Sequence, residues 1–233
     1  MYNNISLSAS LMCFDWLKAG QQLKEVEKHP FDYLHFDIVD GRFAPDFTMG
    51  SSIINTFKNQ TKLKSDYHIM MEEPKTIFSA FVTEDKDVFT IHQEGSRNIH
   101  RDLMKIKNDT PGINVGLALS PGTSLQTLEY VIEDIDVVLL MMVDPGYKGQ
   151  PLVPQTIRKV KELKAIINKL KPEVKISVDG NVNEETVPLM VGAGADILVL
   201  GSSGLFIKDT TIKKTLDKIY KAIDKGIKLR NKE

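Results

Sequence analysis

Eight short apolar runs recur along the chain, each followed by a segment of helical periodicity, and this alternation constrains the fold more than any other feature. The runs are ISLSAS (5–10), YLHFDI (33–38), DYHIM (66–70), DVFTIH (87–92), NVGLAL (114–119), DVVLLMMV (136–143), VKISVD (174–179) and ADILVLG (195–201). Helical patterns occupy 15–28, 51–59, 74–83, 99–107, 124–133, 154–169, 184–191 and 211–227. Strands that alternate with helices build parallel sheets from βαβ units. Eight such units in 233 residues predict an α/β fold of the closed (β/α)8 TIM-barrel kind, with an open doubly wound sheet as the alternative. No Gly/Ser-rich or Pro-rich linker interrupts the order, so residues 1–233 read as one barrel domain. Asn183 ahead of Glu184 and Glu185 predicts a capped helix start, and KAIDKGIKLRNKE (221–233) predicts a charged helical end that frays into solvent.

Composition narrows the partners. With 42% apolar and 26% charged residues the chain can bury a substantial core. Lys plus Arg number 30 against 31 Asp plus Glu and are scattered, which removes the electrostatic reason to expect nucleic acid but leaves a phosphorylated small molecule open. Cys13 is the only cysteine, so no intrachain disulfide forms and a reducing cytoplasm is the expected setting. The start MYNNISLSAS lacks a basic stretch followed by an apolar run, and nothing approaches the roughly 18 apolar residues of a membrane span, so no membrane role is expected.

In a barrel of this kind the chemistry sits at the C-terminal ends of the strands. Alternate positions share a face, which pairs Ser8 with Ser10, His35 with Asp37 and Ser177 with Asp179, and places His68 near the end of the third run. Two imidazoles and two carboxylates from three strands suit one divalent ion, zinc, manganese, cobalt, iron or magnesium, with positions left for substrate oxygens. Singly, a strand-end Asp that caps a loop and a hydrogen-bonded core His are the commoner roles; the residues alone leave ligation and packing both open. A second constellation points to phosphate: DPGYKGQP (144–151), DGNV (179–182) and GSSGLF (201–206) follow the last three runs, and the last is expected to open a short helix. Glycines let backbone N–H groups approach an anion, and a helix N-terminus adds favourable partial charge. His92 and Glu94 are expected to pack beneath the rim.

These motifs resemble a known family. HFDIVDGRFAPDF (35–47) resembles the H-x-D-x-x-D-G-x-F-x-P segment of the ribulose-phosphate 3-epimerase family, DYHIM resembles its second-histidine strand, and MMVDPGYKGQP and SVDGN continue the pattern, in unbroken order from about residue 5 to residue 206. Within the family, SLMC (10–13), Asp144, Asn181 and GSSGLF resemble the six-carbon branch, the D-allulose-6-phosphate 3-epimerases. Ala9 stands where the family usually has proline, Val39 where it usually has methionine, and Lys148 where a small residue is common.

The resemblance implies a ribulose-phosphate-binding barrel that interconverts D-allulose 6-phosphate and D-fructose 6-phosphate by two-base proton transfer at C3 through an enediolate. D-Ribulose 5-phosphate is the alternative substrate, and a non-catalytic sugar-phosphate-binding barrel the alternative of another class. It implies that His35, Asp37, His68 and Asp179 hold the metal, with Asp37 and Asp179 also the catalytic acid and base. Ser10, His68, Met70 and Met141 would contact the substrate, the methionines as an apolar wall, and Gly146, Tyr147, Lys148, Gly149, Gly180, Asn181, Gly201, Ser202 and Ser203 would line its phosphate end. A homo-oligomer is also implied. An aldolase or decarboxylase on a similar barrel would want a lysine at a strand end, and none of the runs ends in one.

Overall fold

The computed structural model describes residues 1–231 and closes eight parallel strands into a barrel in chain order. The strands are β1 Ser6–Ser10, β2 Tyr33–Val39, β3 Lys64–Met70, β4 Val88–His92, β5 Asn114–Leu119, β6 Val137–Met141, β7 Lys175–Asp179 and β8 Ile197–Leu200. Every predicted strand is present, and β8 pairs back onto β1 (Leu7 with Leu198), which excludes the open sheet. A parallel sheet covered on both faces needs apolar residues at nearly every position, and β1 through β6 are buried almost throughout.

Period-2 alternation divides each strand between two cores. Outward residues such as Leu34, Phe36, Tyr67, Ile69, Leu117 and Val178 join Leu103, Leu163, Val187 and Ile219 of the surrounding helices in one large cluster. Inside the barrel, Tyr33, Val88, Val137 and Ile197 on the even strands form an apolar plug at the N-terminal end. Above the plug the odd strands contribute Ser8, Asp66, Gly116 and Ser177, a small and polar layer. Register then sets Asp37 beside His68, Ser10 beside His35 and Met141 beside Asp179 at the C-terminal rim.

The α-helices are α1 Ala19–Val26, α2 Ser51–Lys58, α3 Ile99–Asp109, α4 Gln155–Leu170, α5 Val187–Ala193 and α6 Ile212–Arg230. Two expected helices are different. Residues 74–83 make only the short 3-10 turns Pro74–Thr76 and Phe78–Ala80, because their aromatic rings pack instead of following a helical face: Phe78 and Phe81 lie 5.4 and 6.0 Å from Phe89. Residues 124–133 form 3-10 turns at Leu125–Leu128 and Ile132–Asp134. Leu125, Leu128 and Val131 recur every three residues, the period of a 3-10 rather than an α-helix. The first expected helix begins as a 3-10 turn, Trp16–Lys18, before α1. Asn183 does act as a cap: its Oδ1 accepts from the N–H groups of Glu185 and Thr186, on a turn that precedes α5.

The C-terminal end does not fray where fraying was expected. Ile223 and Gly226 are buried, and Arg230 donates from Nε to the Val191 carbonyl (2.8 Å) and from Nη2 to the Ala195 carbonyl (2.7 Å), clamping α6 to the end of α5. The expectation for the final two positions, 232 and 233, lies outside the described residues. Among the described residues no helix is long and apolar enough to cross a membrane. Replacing Arg230→Ala removes both bonds and is expected to destabilise the fold by about 1–2 kcal/mol in denaturant unfolding; an unchanged midpoint would show the clamp to be incidental.

Candidate active site and metal centre

Four side chains from three strands converge at the rim: His35 and Asp37 from β2, His68 from β3 and Asp179 from β7, with one ligand atom from each within 4.8 Å of all the others. Asp37 Oδ1 is 3.2 Å from His35 Nε2 and 3.2 Å from His68 Nδ1, and Asp179 Oδ2 is 3.7 and 3.6 Å from the same two nitrogens. Both imidazoles are wholly buried, whereas the Asp179 side chain keeps 17% exposure. A set of two nitrogens and two carboxylate oxygens, with open space beside it, fits a divalent ion with room for substrate oxygens.

What stands behind these groups strengthens that fit. His35 Nδ1 is 2.7 Å from Asp66 Oδ2, so a proton on Nδ1 leaves the Nε2 lone pair facing the cluster. Asp66 also accepts from Ser8 Oγ (2.9 Å). Ser10 Oγ donates to Asp37 Oδ2 (3.0 Å) and fixes the carboxylate whose other oxygen meets the imidazoles. His68 presents Nδ1 to the cluster, and its Nε2 lies 2.8 Å from His92 Nε2, whose Nδ1 is 3.0 Å from Glu94 Oε2. His92 is therefore in contact with a cluster member, where packing alone was expected.

The two clustered carboxylates differ in proton affinity. Asp179 is pushed up to about 6, first by burial and then by the negative charge of Asp37. Burial also disfavours the Asp37 anion, but the charge of His35 and hydrogen bonds from both imidazoles outweigh it and hold Asp37 well below the usual carboxylate range. For His35, burial works against the imidazolium, yet the charges of Asp66 and Asp37 raise it well above its ordinary value. Burial lowers His92 to about 4, against the hydrogen bond to Glu94 that favours its charged form.

The cleft above the cluster is lined by Asp37 and Asp179 together with Ser10, Met70, Met141, Gly146, Tyr147, Lys148, Gly149, Gly180, Asn181, Gly201, Ser202 and Ser203, so the expected substrate and phosphate positions meet in one place. His68, expected to touch substrate as well, has no exposed surface and lies beneath the floor. Gly180 has φ +104°, and a Cβ there would fall 2.5 Å from Val143 Cγ2. Asn181 follows at φ +52° and donates from Nδ2 to the Gln150 carbonyl (2.9 Å), tying the loop after β7 to the loop after β6. Gly146 at φ +129° closes against Ala44 and Pro45 of the loop after β2. One expectation fails: Gly201–Phe206 is a run of turns, its Gly201 carbonyl accepting from the N–H groups of Leu205 and Phe206, and no helix starts until α6. The following residues, including the left-handed Asp209, carry the chain away before it can wind.

Sequence reading missed Asp66 and Cys13. Asp66 stands two residues before His68 on the same face of β3, a spacing that signals it. Cys13 lines the cleft beside Ser10, with its thiol pushed up by burial and by Asp37; only the turn after β1, Leu11–Cys13, brings it there.

Fold and site together define a (β/α)8 barrel with glycine-bearing loops around a two-histidine, two-aspartate cluster at its rim. Residues 6–206 match the Ribulose-phosphate 3 epimerase family, and the chain belongs to it. The ribulose-phosphate 3-epimerase of Bacillus subtilis (strain 168) is 38% identical over 200 residues, covering 85% of this chain and 91% of that protein. The enzyme of the same name from Methanocaldococcus jannaschii is 35% identical over 224 residues, covering 95% and 94%. Among solved structures, 3-hexulose-6-phosphate synthase from Salmonella typhimurium superposes with a TM-score of 0.65 at 15% identity, over 95% of this chain and 100% of that one, a likeness of fold alone. The chain is thus placed among isomerases of the carbohydrate-epimerase kind that act on a ketose phosphate.

Asp66→Ala strips His35 Nδ1 and Ser8 Oγ of their shared acceptor inside the barrel. The expected cost is about 1–3 kcal/mol of unfolding free energy, read by denaturant titration; a smaller effect than that of an exposed Asp→Ala control would show that neither group depends on Asp66.

Proposed function

We propose that this protein is a metal-assisted 3-epimerase of a ketose phosphate, with Asp37 and Asp179 as its two proton-transfer groups. The observation that carries this reading is the meeting of the two carboxylates from β2 and β7 over a pair of buried imidazoles, with the proton affinity of Asp179 raised and that of Asp37 lowered. A divalent ion held by His35, Asp37, His68 and Asp179 supplies Lewis-acid stabilisation of the negative charge that develops on the substrate oxygens. Inversion at C3 needs a base on one face of a planar enediolate and an acid on the other. Asp37 and Asp179 come from separated strands and fill those roles, the ionised carboxylate taking the C3 proton and the protonated one delivering another from the opposite side.

Ser10 holds Asp37 in orientation, and Met70 and Met141 give the reacting carbons a dry wall, which strengthens every charge interaction in the cleft. The loops bearing Gly180–Asn181 and Gly201–Ser203 offer backbone N–H groups to the phosphate. Lys148 is the only lysine or arginine among the described residues lining the cleft and pairs with that anion. Anchoring the phosphate orients C3 between the aspartates. The C-terminal ends of the described strands carry no lysine, which speaks against Schiff-base chemistry on this barrel. The family resemblance supports assembly of identical chains, and the single cysteine, Cys13, supports work in a reducing cytoplasm.

Two chain lengths compete. The names of the relatives favour D-ribulose 5-phosphate and D-xylulose 5-phosphate. Asp144, Asn181 and GSSGLF favour D-allulose 6-phosphate and D-fructose 6-phosphate. Comparing kcat/KM for both pairs on metal-reconstituted protein decides between them, and no turnover of either would remove both.

Asp37→Asn and Asp179→Asn are each expected to lower epimerisation by ~10² to 10⁴ or more, while the remaining aspartate can still exchange the C3 proton of one epimer with solvent. Epimerisation retained in either variant would refute the two-base assignment. Chelator treatment should abolish turnover and added divalent ion restore it. Lys148→Ala should raise KM with little change in kcat, the mark of lost ground-state binding; an unchanged KM would place Lys148 in solvent.

A further inference from the structure

We propose that His92 and Glu94 are positioning residues for His68: through two hydrogen bonds in series they hold the tautomer whose Nδ1 lone pair faces the cation site. The inference rests on the metal reading above and is independent of which sugar phosphate is turned over.

Counting protons along the chain of contacts gives one consistent solution. To ligate an ion, His68 Nδ1, which lies 3.2 Å from Asp37 Oδ1 and 3.6 Å from Asp179 Oδ2, must present a lone pair. The His68 proton then sits on Nε2 and needs an acceptor, and His92 Nε2 is 2.8 Å away. His92 must therefore carry its own proton on Nδ1, where Glu94 Oε2 waits at 3.0 Å. An ionised carboxylate accepts and cannot donate. The reverse arrangement would aim the His68 proton into the cation site and set an unprotonated His92 Nδ1 against a carboxylate. Glu94 thus excludes the tautomer that cannot bind metal.

The carboxylate is itself anchored. Glu94 Oε1 accepts from the Ser120 N–H (2.9 Å) and from Thr123 Oγ1, both in the loop after β5. That loop is held in turn by Lys159 of α4, which donates to the Ser120 carbonyl at 2.7 Å. Phe43 covers the His92 ring at a centroid distance of 4.6 Å. His35 has its outer nitrogen held directly by Asp66, so the two imidazoles are oriented by different devices: one carboxylate in contact, the other acting through a second ring.

The test is cobalt(II) binding to the full metal-free chain, read by competition with a chelator and by the visible spectrum of the bound ion. His92→Phe keeps ring and packing but offers no acceptor, and is expected to weaken cobalt affinity by about 10–100-fold and to change the spectrum, with the metal-free protein still folded at the assay temperature. His92→Gln, whose amide oxygen can accept from His68 and whose NH2 can donate to Glu94, should restore affinity to near wild type. Glu94→Gln should lower it while preserving shape. Wild-type affinity and spectrum in His92→Phe, or an equal loss in His92→Phe and His92→Gln, would overturn the proposal. Should His92→Phe not fold, unchanged binding in Glu94→Gln overturns it. Failure of the wild-type chain to bind cobalt would defeat the metal reading and this one together, whereas bound cobalt without epimerase activity would defeat only the substrate reading.

Discussion

Two imidazoles and two carboxylates brought within 4.8 Å of one another at the mouth of an otherwise apolar barrel are the constraint around which the rest of the molecule is arranged. Ionisable groups removed from water are costly unless each is paired, hydrogen-bonded or bound to an ion. The structure answers with partners on the outward side of three of the four: Asp66 behind His35, His92 behind His68, Ser10 behind Asp37. The inward nitrogens and carboxylate oxygens are left clustered against one another. Such an arrangement is poor for stability alone and well suited to a cation.

The barrel makes this affordable by separating its polar and apolar layers. Tyr33, Val88, Val137 and Ile197 seal the N-terminal end, and Ala118, Leu139, Met141 and Val143 form an apolar patch on the β5–β6 side of the rim. The polar layer between them holds Ser8 and Asp66, close enough to the centre to hydrogen-bond it from below. Strand register does the positioning: a slip of one residue in β2 would turn His35 and Asp37 outward into the helical shell. The pairing of Asp37 with His68 and of Met141 with Asp179 ties the site to the whole β-ladder rather than to any single loop.

Above the floor, the loops are joined to one another. Asn181 reaches the Gln150 carbonyl, Gly146 packs on Ala44 and Pro45, and Gln150 donates to the Asp144 and Tyr147 carbonyls within its own loop. These contacts couple the loops after β2, β6 and β7 around the cleft. Substrate phosphate would meet an already shaped rim, so that less of its binding energy goes into ordering the loops.

Much of this was legible in the sequence. Strand positions followed from apolar runs because a parallel barrel buries both faces of every strand; period-2 spacing put the four clustered residues on inner faces at strand ends, and only the family resemblance implied that they act together. Helix type was less legible: residues 74–83 and 124–133 carry apolar residues that suit a helix, yet the aromatic packing of Phe78 and Phe81 and the three-residue spacing of Leu125, Leu128 and Val131 favour short 3-10 turns. Arg230 and the chain of His92, Glu94, Ser120 and Thr123 were not legible, because hydrogen bonds between strands and loops distant in sequence leave no local periodic mark. The sequence by itself determined which side chains each strand would present and on which face, since alternation is a property of the local backbone. Only the tertiary structure decided which nitrogen of each histidine faces the centre and which carboxylate has its proton affinity raised, since both depend on partners that closure of the barrel brings close.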